Sequence, residues 1–194
     1  MTLAKLTRVR KWHIITIVVV ALWLPLLAFM ANLPAVRDEV IARGKTSQII
    51  AAVKQFRTEY GDFPVVGKDG LIVSVGENAQ LFRILCGIDG DQNRQRISFF
   101  HDSTARPKRL AFKRRLIAGF DPATGALLDP WGTAYCIGID IDNDGNVVAP
   151  YDDDPAGRNI PTRVVAWSVG RDGHQGTREN PRQFNGSDDI ISWR

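Results

Sequence analysis

Along "DIDNDGN", Asp140, Asp142 and Asp144 alternate ahead of Gly145. Carboxylates at every second position can turn their oxygens toward one hard cation, and the glycine supplies the sharp bend of a D-x-[DN]-x-[DN]-G calcium loop. Counted from Asp140, the position that should carry a bidentate glutamate is Tyr151, and Asp152, Asp153 and Asp154 follow it as substitute oxygens. The competing reading is a polar hairpin tip whose aspartates stabilise turns. The segment stands as a second candidate calcium loop.

The first candidate lies nearer the C-terminus. "WSVGRDGHQGT" begins at Trp167 and "SDDIISW" ends at Trp193, so Ser168, Asp172, Asp188 and Asp189 fall in a glycine-rich stretch between two tryptophans. Calcium accepts about six to eight oxygens in irregular geometry, which suits carboxylates on a glycine-rich loop better than the tight octahedron of magnesium. Without an ion the gathered carboxylates would repel one another. The alternative keeps Asp188 and Asp189 apart in solvent.

Signals for catalysis are poor. His13, His101 and His174 have no metal-ligand spacing, and no G-x-S-x-G, catalytic-cysteine context or phosphate loop is present. Asp152 to Asp154, or Asp188 with Asp189, could serve a hydrolase as acid and base, but sequence does not show the separation that role requires. The expectation is a protein that is not an enzyme.

These residues must be positioned by elements of two textures. From 34 to 61, Val36 and Val40, then Ile49, Val53, Phe56 and Tyr60, recur at helical steps, and Gly61 followed by Pro64 stops the helix near Tyr60. Arg43, Gly44 and Lys45 interrupt the stripe, so Ile49 to Tyr60 is the part expected to pack. Beyond Pro64, "LIVSV", "ISFF", "AYCIGID" and "RVVAWSV" read as strands joined by glycine and aspartate turns.

The chain has 194 residues, 44% hydrophobic and 24% charged, enough for one globular domain with an appended segment. The net charge is +4, with Lys5, Arg8, Arg10 and Lys11 at the start, and no nucleic-acid footprint follows from it. From Arg94 to Arg115 a second basic run reads as a solvated loop face, against the sharper reading of a dock for an acidic partner or lipid head groups. Cys86 and Cys136 either form one bond or are two small buried hydrophobes.

Trp12 to Leu33 is apolar and long enough to cross roughly 30 Å of hydrocarbon as a helix. The basic residues before it put residues 1–11 in the cytoplasm and everything after Asn32 on the far side of the membrane, as a single-pass protein. A cleaved signal peptide is the rival, with poor residues for a cut around Ala31. The expected organisation is a basic segment at 1–11, a transmembrane helix at 12–33, an amphipathic helix at 34–61 and an α+β domain at 62–194.

The order of parts carries a resemblance. "TEYGDFP", "LDPWGTAYCI", "VVAWSVGRDGHQGT" and "SDDIISW" occur in the sequence in which they occur in the major pseudopilin of type II secretion systems. The likeness covers about residues 46 to 64 and 127 to 194, and the ordered set is more specific than any one motif. "RKWHIITIVVV" lacks that family's leader glycine and the acidic fifth residue of its apolar run, so leader cleavage and N-methylation stay open.

The resemblance implies an α+β fold: a long N-terminal transmembrane helix packed on a small antiparallel sheet, and a C-terminal loop binding one Ca2+. Carried onto this sequence, the ligands are Asp172 and the Val169 carbonyl, with Asp188 or Asp189 closing the shell and Ser168 weaker. Trp131 and Trp193 become packing residues. The implied function is a structural subunit, held in the inner membrane with its C-terminal domain in the periplasm, that assembles with itself, other pseudopilins or secretion-machine subunits into a pilus-like filament for protein export. A solitary tethered binding module of the cell envelope is the alternative, and a carboxylate hydrolase the third.

Overall fold

The computed structural model describes Trp23 and residues 34–67, 69–110, 113–154 and 157–193. The chain divides into two compact units, Met1–Asp38 and Glu39–Arg194. Residues 34–60 form helix α1, and the unit boundary falls within it. In the first unit the Arg37 guanidinium lies 2.9 Å from the Asp38 carboxylate. The remaining description concerns the second unit.

Helix α1 ends where the Gly61 stop predicts. Gly61 takes φ +84 and its N–H donates to the Arg57 carbonyl at 2.8 Å, a left-handed cap that glycine adopts without steric cost. Burial at Ile49, Ala52, Val53 and Phe56 follows the expected stripe, but it also continues back through Thr46 to Ala42. Packing therefore crosses the charged interruption, aided by the Lys45 ammonium, which lies 2.8 Å from Asp102.

"LIVSV" is not one strand. Strand β1 is Leu71–Ile72, and helix α2 begins at Val75 and runs to Leu85. Ser74 caps it by accepting from the Glu77 N–H at 3.1 Å, while the Ser74 N–H donates to Glu77 Oε2 at 3.2 Å. This reciprocal box satisfies donors that the first helical turn leaves orphaned. Ser74→Ala is expected to lower stability by about 1 kcal/mol, read as a reduced denaturant midpoint at unchanged slope. Asn78, fully buried on α2, donates to the Tyr135 carbonyl at 2.7 Å and accepts from the Leu127 N–H at 2.8 Å, pinning the helix to the sheet region. "ISFF" forms no strand either, since the Phe99 and Phe100 N–H groups both donate to the Leu85 carbonyl at the end of α2.

The remaining strands are β2 Arg106–Leu110, β3 Lys113–Ile117, β4 Gly119–Phe120, β5 Leu127–Leu128, β6 Cys136–Ile139, β7 Val147–Val148, β8 Asn159–Ile160, β9 Val164–Ser168 and β10 Ile190–Ile191. Four of them make an antiparallel sheet in the order β1-β6-β9-β10, and β2-β3, β4-β5 and β7-β8 are separate two-stranded ribbons. Side chains on β9 alternate between two cores. Val164 and Ala166 join α1 and α2, with Ile49, Val53, Phe56, Leu81 and Phe82, whereas Val165 and Trp167 join Val147, Tyr151, Ile160 and Ile191 on the other face. Burial on both faces accounts for the unbroken apolar run of "VVAW".

Two expectations are corrected. The transmembrane helix at 12–33 lies outside the described residues, apart from Trp23, and among the described residues no helix is long and apolar enough to cross a membrane. Helix α1 carries Arg37, Asp38, Glu39, Arg43, Lys45, Lys54, Arg57 and Glu59, which bilayer hydrocarbon would penalise at every turn. In place of a long membrane helix on one small sheet, the described fold has two helices, one four-stranded sheet and three ribbons. The single-pass inner-membrane placement, with a cytoplasmic N-terminus and a periplasmic domain, is accordingly not carried forward.

Candidate metal centre

Strand β9 delivers Ser168 and Val169 into the loop, and β10 brings Asp188 and Asp189 back beside them. The register pairs Ile190 with Ser168 and Ile191 with Trp167, so the two aspartates just before β10 arrive opposite Val169 and Gly170. Gly170, at φ +70, has no room for a side chain, because a Cβ there would meet the Asp188 carbonyl oxygen and, at 2.7 Å, the carboxyl carbon. The glycine in the loop motif is thus set by close approach.

Within the loop each carboxylate has distinct partners. Asp188 Oδ2 accepts from the Arg171 N–H at 2.7 Å and the Asp172 N–H at 3.2 Å. Asp172 Oδ1 accepts from the His174 N–H at 2.8 Å, and its other oxygen lies 3.9 Å from the exposed Arg178 guanidinium. Asp189 is 7% exposed; its Oδ2 accepts from the Tyr151 hydroxyl and the Gly176 N–H, both at 2.6 Å. Its Oδ1 is buried and has no hydrogen-bond partner. Burial pushes the Asp189 carboxyl up to about 6, the two hydrogen bonds oppose that, and the nearby Asp188 and Asp172 charges add to it.

Ser168 faces elsewhere. Its hydroxyl donates to Asp129 Oδ2 at 2.6 Å and accepts from the Gly170 N–H at 3.2 Å. Asp129, fully buried, also accepts through Oδ1 from the Trp131 N–H at 2.9 Å and the Thr133 N–H at 2.8 Å, closing the "DPWG" turn. Burial raises its carboxyl above the ordinary range, against these hydrogen bonds. Ser168 therefore ties the loop to that turn. Val169 is buried at the strand end as the sequence places it.

In the run at 152–154 each aspartate has its own partner in the C-terminal segment. Asp152 meets the Arg182 guanidinium at 2.6 Å, Asp153 accepts from the Phe184 N–H at 2.5 Å and the Asn185 N–H at 2.9 Å, and Asp154 accepts from Trp193 Nε1 at 2.7 Å. Asp152 and Asp153 fasten the segment that leads into β10, and Asp154 fastens Trp193 just beyond it. Sequence reasoning missed these roles, the Asp129–Ser168 bond and the Tyr151–Asp189 bond, because each of these partners lies about 30 or more positions away and leaves no local pattern.

Asp140, Asp142 and Asp144 do converge, each offering an oxygen within 4.8 Å of the others. Among the described residues this is the trio that meets so closely; Asp172, Asp188 and Asp189 do not. Buried Asp140 accepts from the Asp144 and Gly145 N–H groups, both at 3.0 Å, and Asp144 accepts from the Asn146 N–H at 2.7 Å. These bonds account for the trio as a turn, and it shows no preference for calcium over another cation. Tyr151, at the glutamate position, is buried and committed to Asp189.

Cys86 and Cys136 are both free. Burial pushes their thiols up to about 11 and about 12 respectively, so neither is a thiolate nucleophile near neutral pH. Comparison with known proteins finds no matching family model, no matching curated protein and no matching solved structure.

Proposed function

We propose that this chain is a structural, non-catalytic assembly subunit whose C-terminal loop is stapled by one calcium ion. More particularly, we read it as a pseudopilin-like subunit of a type II secretion or pilus-like filament, which associates with itself and with related subunits. The observation that carries the ion is Asp189 Oδ1, a buried carboxylate oxygen without a partner, beside the like charges of Asp172 and Asp188. A hard dication would supply the missing partner and cancel the repulsion once the three carboxylates, which do not converge within 4.8 Å in the metal-free loop, close on it. Val169, Asp172, Asp188 and Asp189 are the residues that would hold it, and Ser168 braces the loop against Asp129.

Assembly through α1 is supported by Val40 and Ile41, which stand 65% and 42% exposed on a helix whose opposite side is buried. Asp152 to Asp154 are each hydrogen-bonded to the C-terminal segment on either side of β10, which favours the structural reading over a hydrolase.

The test is thermal unfolding of the full chain with calcium and with a chelator. Calcium at 100 times its dissociation constant should add about 2.7 kcal/mol to the folded state, and Asp172→Ala should remove most of that gain. No calcium shift in the wild type would overturn the staple. Cysteines placed at Val40 and Ile41 should trap ladders of crosslinked subunits, and monomer alone would overturn assembly through this helix.

A further inference from the structure

The segment that enters β10 is bent by a four-residue turn. The Ser187 N–H donates to the Phe184 carbonyl at 2.9 Å, which puts Asn185 and Gly186 at the two central positions. Gly186 takes φ +89, a conformation that favours glycine at the second of them. Of the asparagines in the chain, Asn185 alone precedes a glycine. The other exposed ones among the described residues, Asn143, Asn159 and Asn180, precede Asp144, Ile160 and Pro181.

The turn leaves both central groups open. Asn185 and Gly186 are exposed. Asp153 accepts from the Phe184 N–H at 2.5 Å and from the Asn185 N–H at 2.9 Å, and the Ser187 N–H closes the turn. Among the described residues, the Gly186 N–H between them and the Asn185 carboxamide have no hydrogen-bond partner. The place a Cβ would take on Gly186 meets no atom beyond its chain neighbours nearer than the Thr177 methyl carbon, at 3.8 Å.

These two groups are the reactants of an intramolecular acyl transfer. The Gly186 nitrogen, deprotonated by base, attacks Asn185 Cγ. The N–Cγ bond forms, the Cγ–Nδ2 bond breaks, and Nδ2 leaves as ammonia with the proton that the Gly186 nitrogen gave up. Water then opens the five-membered imide at either carbonyl, leaving aspartate or isoaspartate, and nothing is oxidised or reduced. A side chain on the following residue crowds the attack, and a following proline offers no N–H. Escape of ammonia makes the reaction one-way.

We propose that Asn185–Gly186 is a deamidation site whose products loosen the clasp that holds the segment ahead of β10. Either product puts a carboxylate where a neutral amide stood, in a segment that already carries Asp188 and Asp189 and is held by Asp153. Like charges brought together there repel. Isoaspartate also adds a backbone carbon inside the turn, so the Phe184–Ser187 bond cannot close in the same register. Phe184 packs edge-on against Tyr151, with ring centroids 5.4 Å apart, and Tyr151 holds Asp189. The site therefore limits how long the loop stays closed. It needs neither calcium nor assembly, so it goes beyond the function proposed above, and its failure would leave that function standing.

The test incubates the full chain in chelator and heavy-oxygen water at mildly alkaline pH. Cleavage after Arg182 then releases residues 183–194, which are read by mass and by their fragment ions. The native chain should take up heavy oxygen at Asn185 at least about tenfold faster than at Asn143 or Asn159, with part of the product carrying the extended backbone. Its unfolding transition should fall as product accumulates. Asn185→Ser, which has no carboxamide, should keep a constant transition through the same incubation. No uptake at Asn185 in the native chain would overturn the site, and reaction of the same chain in denaturant would assign the protection to the fold. Conversion that leaves the unfolding transition unchanged would overturn the loosening.

Discussion

Asp189→Asn is expected to stabilise the metal-free protein and to abolish its stabilisation by calcium. The two effects have opposite signs and one cause. In the metal-free fold the carboxyl is raised from 3.8 to about 6, chiefly by burial, so its ionised form is disfavoured there. Between these values the folded state holds more protons than the unfolded state, and stability from this group falls as pH rises through the window and then levels off. Asparagine keeps an acceptor for the Tyr151 hydroxyl and the Gly176 N–H and removes the buried charge. The expected gain at neutral pH in chelator is on the order of 1–2 kcal/mol. With calcium the sign inverts. The ion binds the ionised carboxylate, so its apparent affinity in the wild type should strengthen as pH rises through about 6. The variant should lose that dependence together with the roughly 2.7 kcal/mol gain. Paired melts at several pH values, with calcium and with chelator, check both halves. A variant that is weaker in chelator and still responds to calcium would remove Asp189 from the centre.

The second large effect is expected at Asp129. Asp129→Ala strips the acceptor from the Trp131 N–H, the Thr133 N–H and the Ser168 hydroxyl, all in a buried turn. Orphaned donors cost more than the net value of the bonds they lose, and a loss of about 3–5 kcal/mol follows. Asp129→Asn, which keeps the oxygen facing the two N–H groups, should cost less than about 1.5 kcal/mol. Chemical denaturation of the two variants separates a hydrogen-bonding role from a requirement for charge. An alanine variant as stable as the wild type would show that the turn does not depend on this carboxylate.

Both residues sit in motifs visible in the sequence, yet their roles were not equally legible. The carboxylates at 172, 188 and 189 stand out by type and by their glycine-rich surroundings, and the strand "VVAWS" that positions them is read from its apolar run. Helix α1 and its stop at Gly61 follow from local periodicity and from one residue that tolerates positive φ. Helix α2 was hidden because Val73 and Val75 extend the apolar look of β1, while the residues that start it, Ser74 and Glu77, announce a cap. "ISFF" was misread for a related reason. Its aromatic residues are buried by α2 and the Leu85 carbonyl rather than by a neighbouring strand. The ribbon at 106–117 pairs bases with bases, against the propensity arguments that would have located it. Partners such as Asp153 with Phe184, or Tyr151 with Asp189, depend on the finished topology.

The Trp193 indole donates to Asp154 and meets fully buried Trp167 edge to face, with ring centroids 6.1 Å apart. Both rings flank the segment that the ion would order, so the molecule contains its own optical gauge of that segment. While the segment stays closed, Trp167 should emit as a dry indole, at short wavelength. If the loop loosens, water reaches both rings, and the emission should shift to the red before the sheet itself melts.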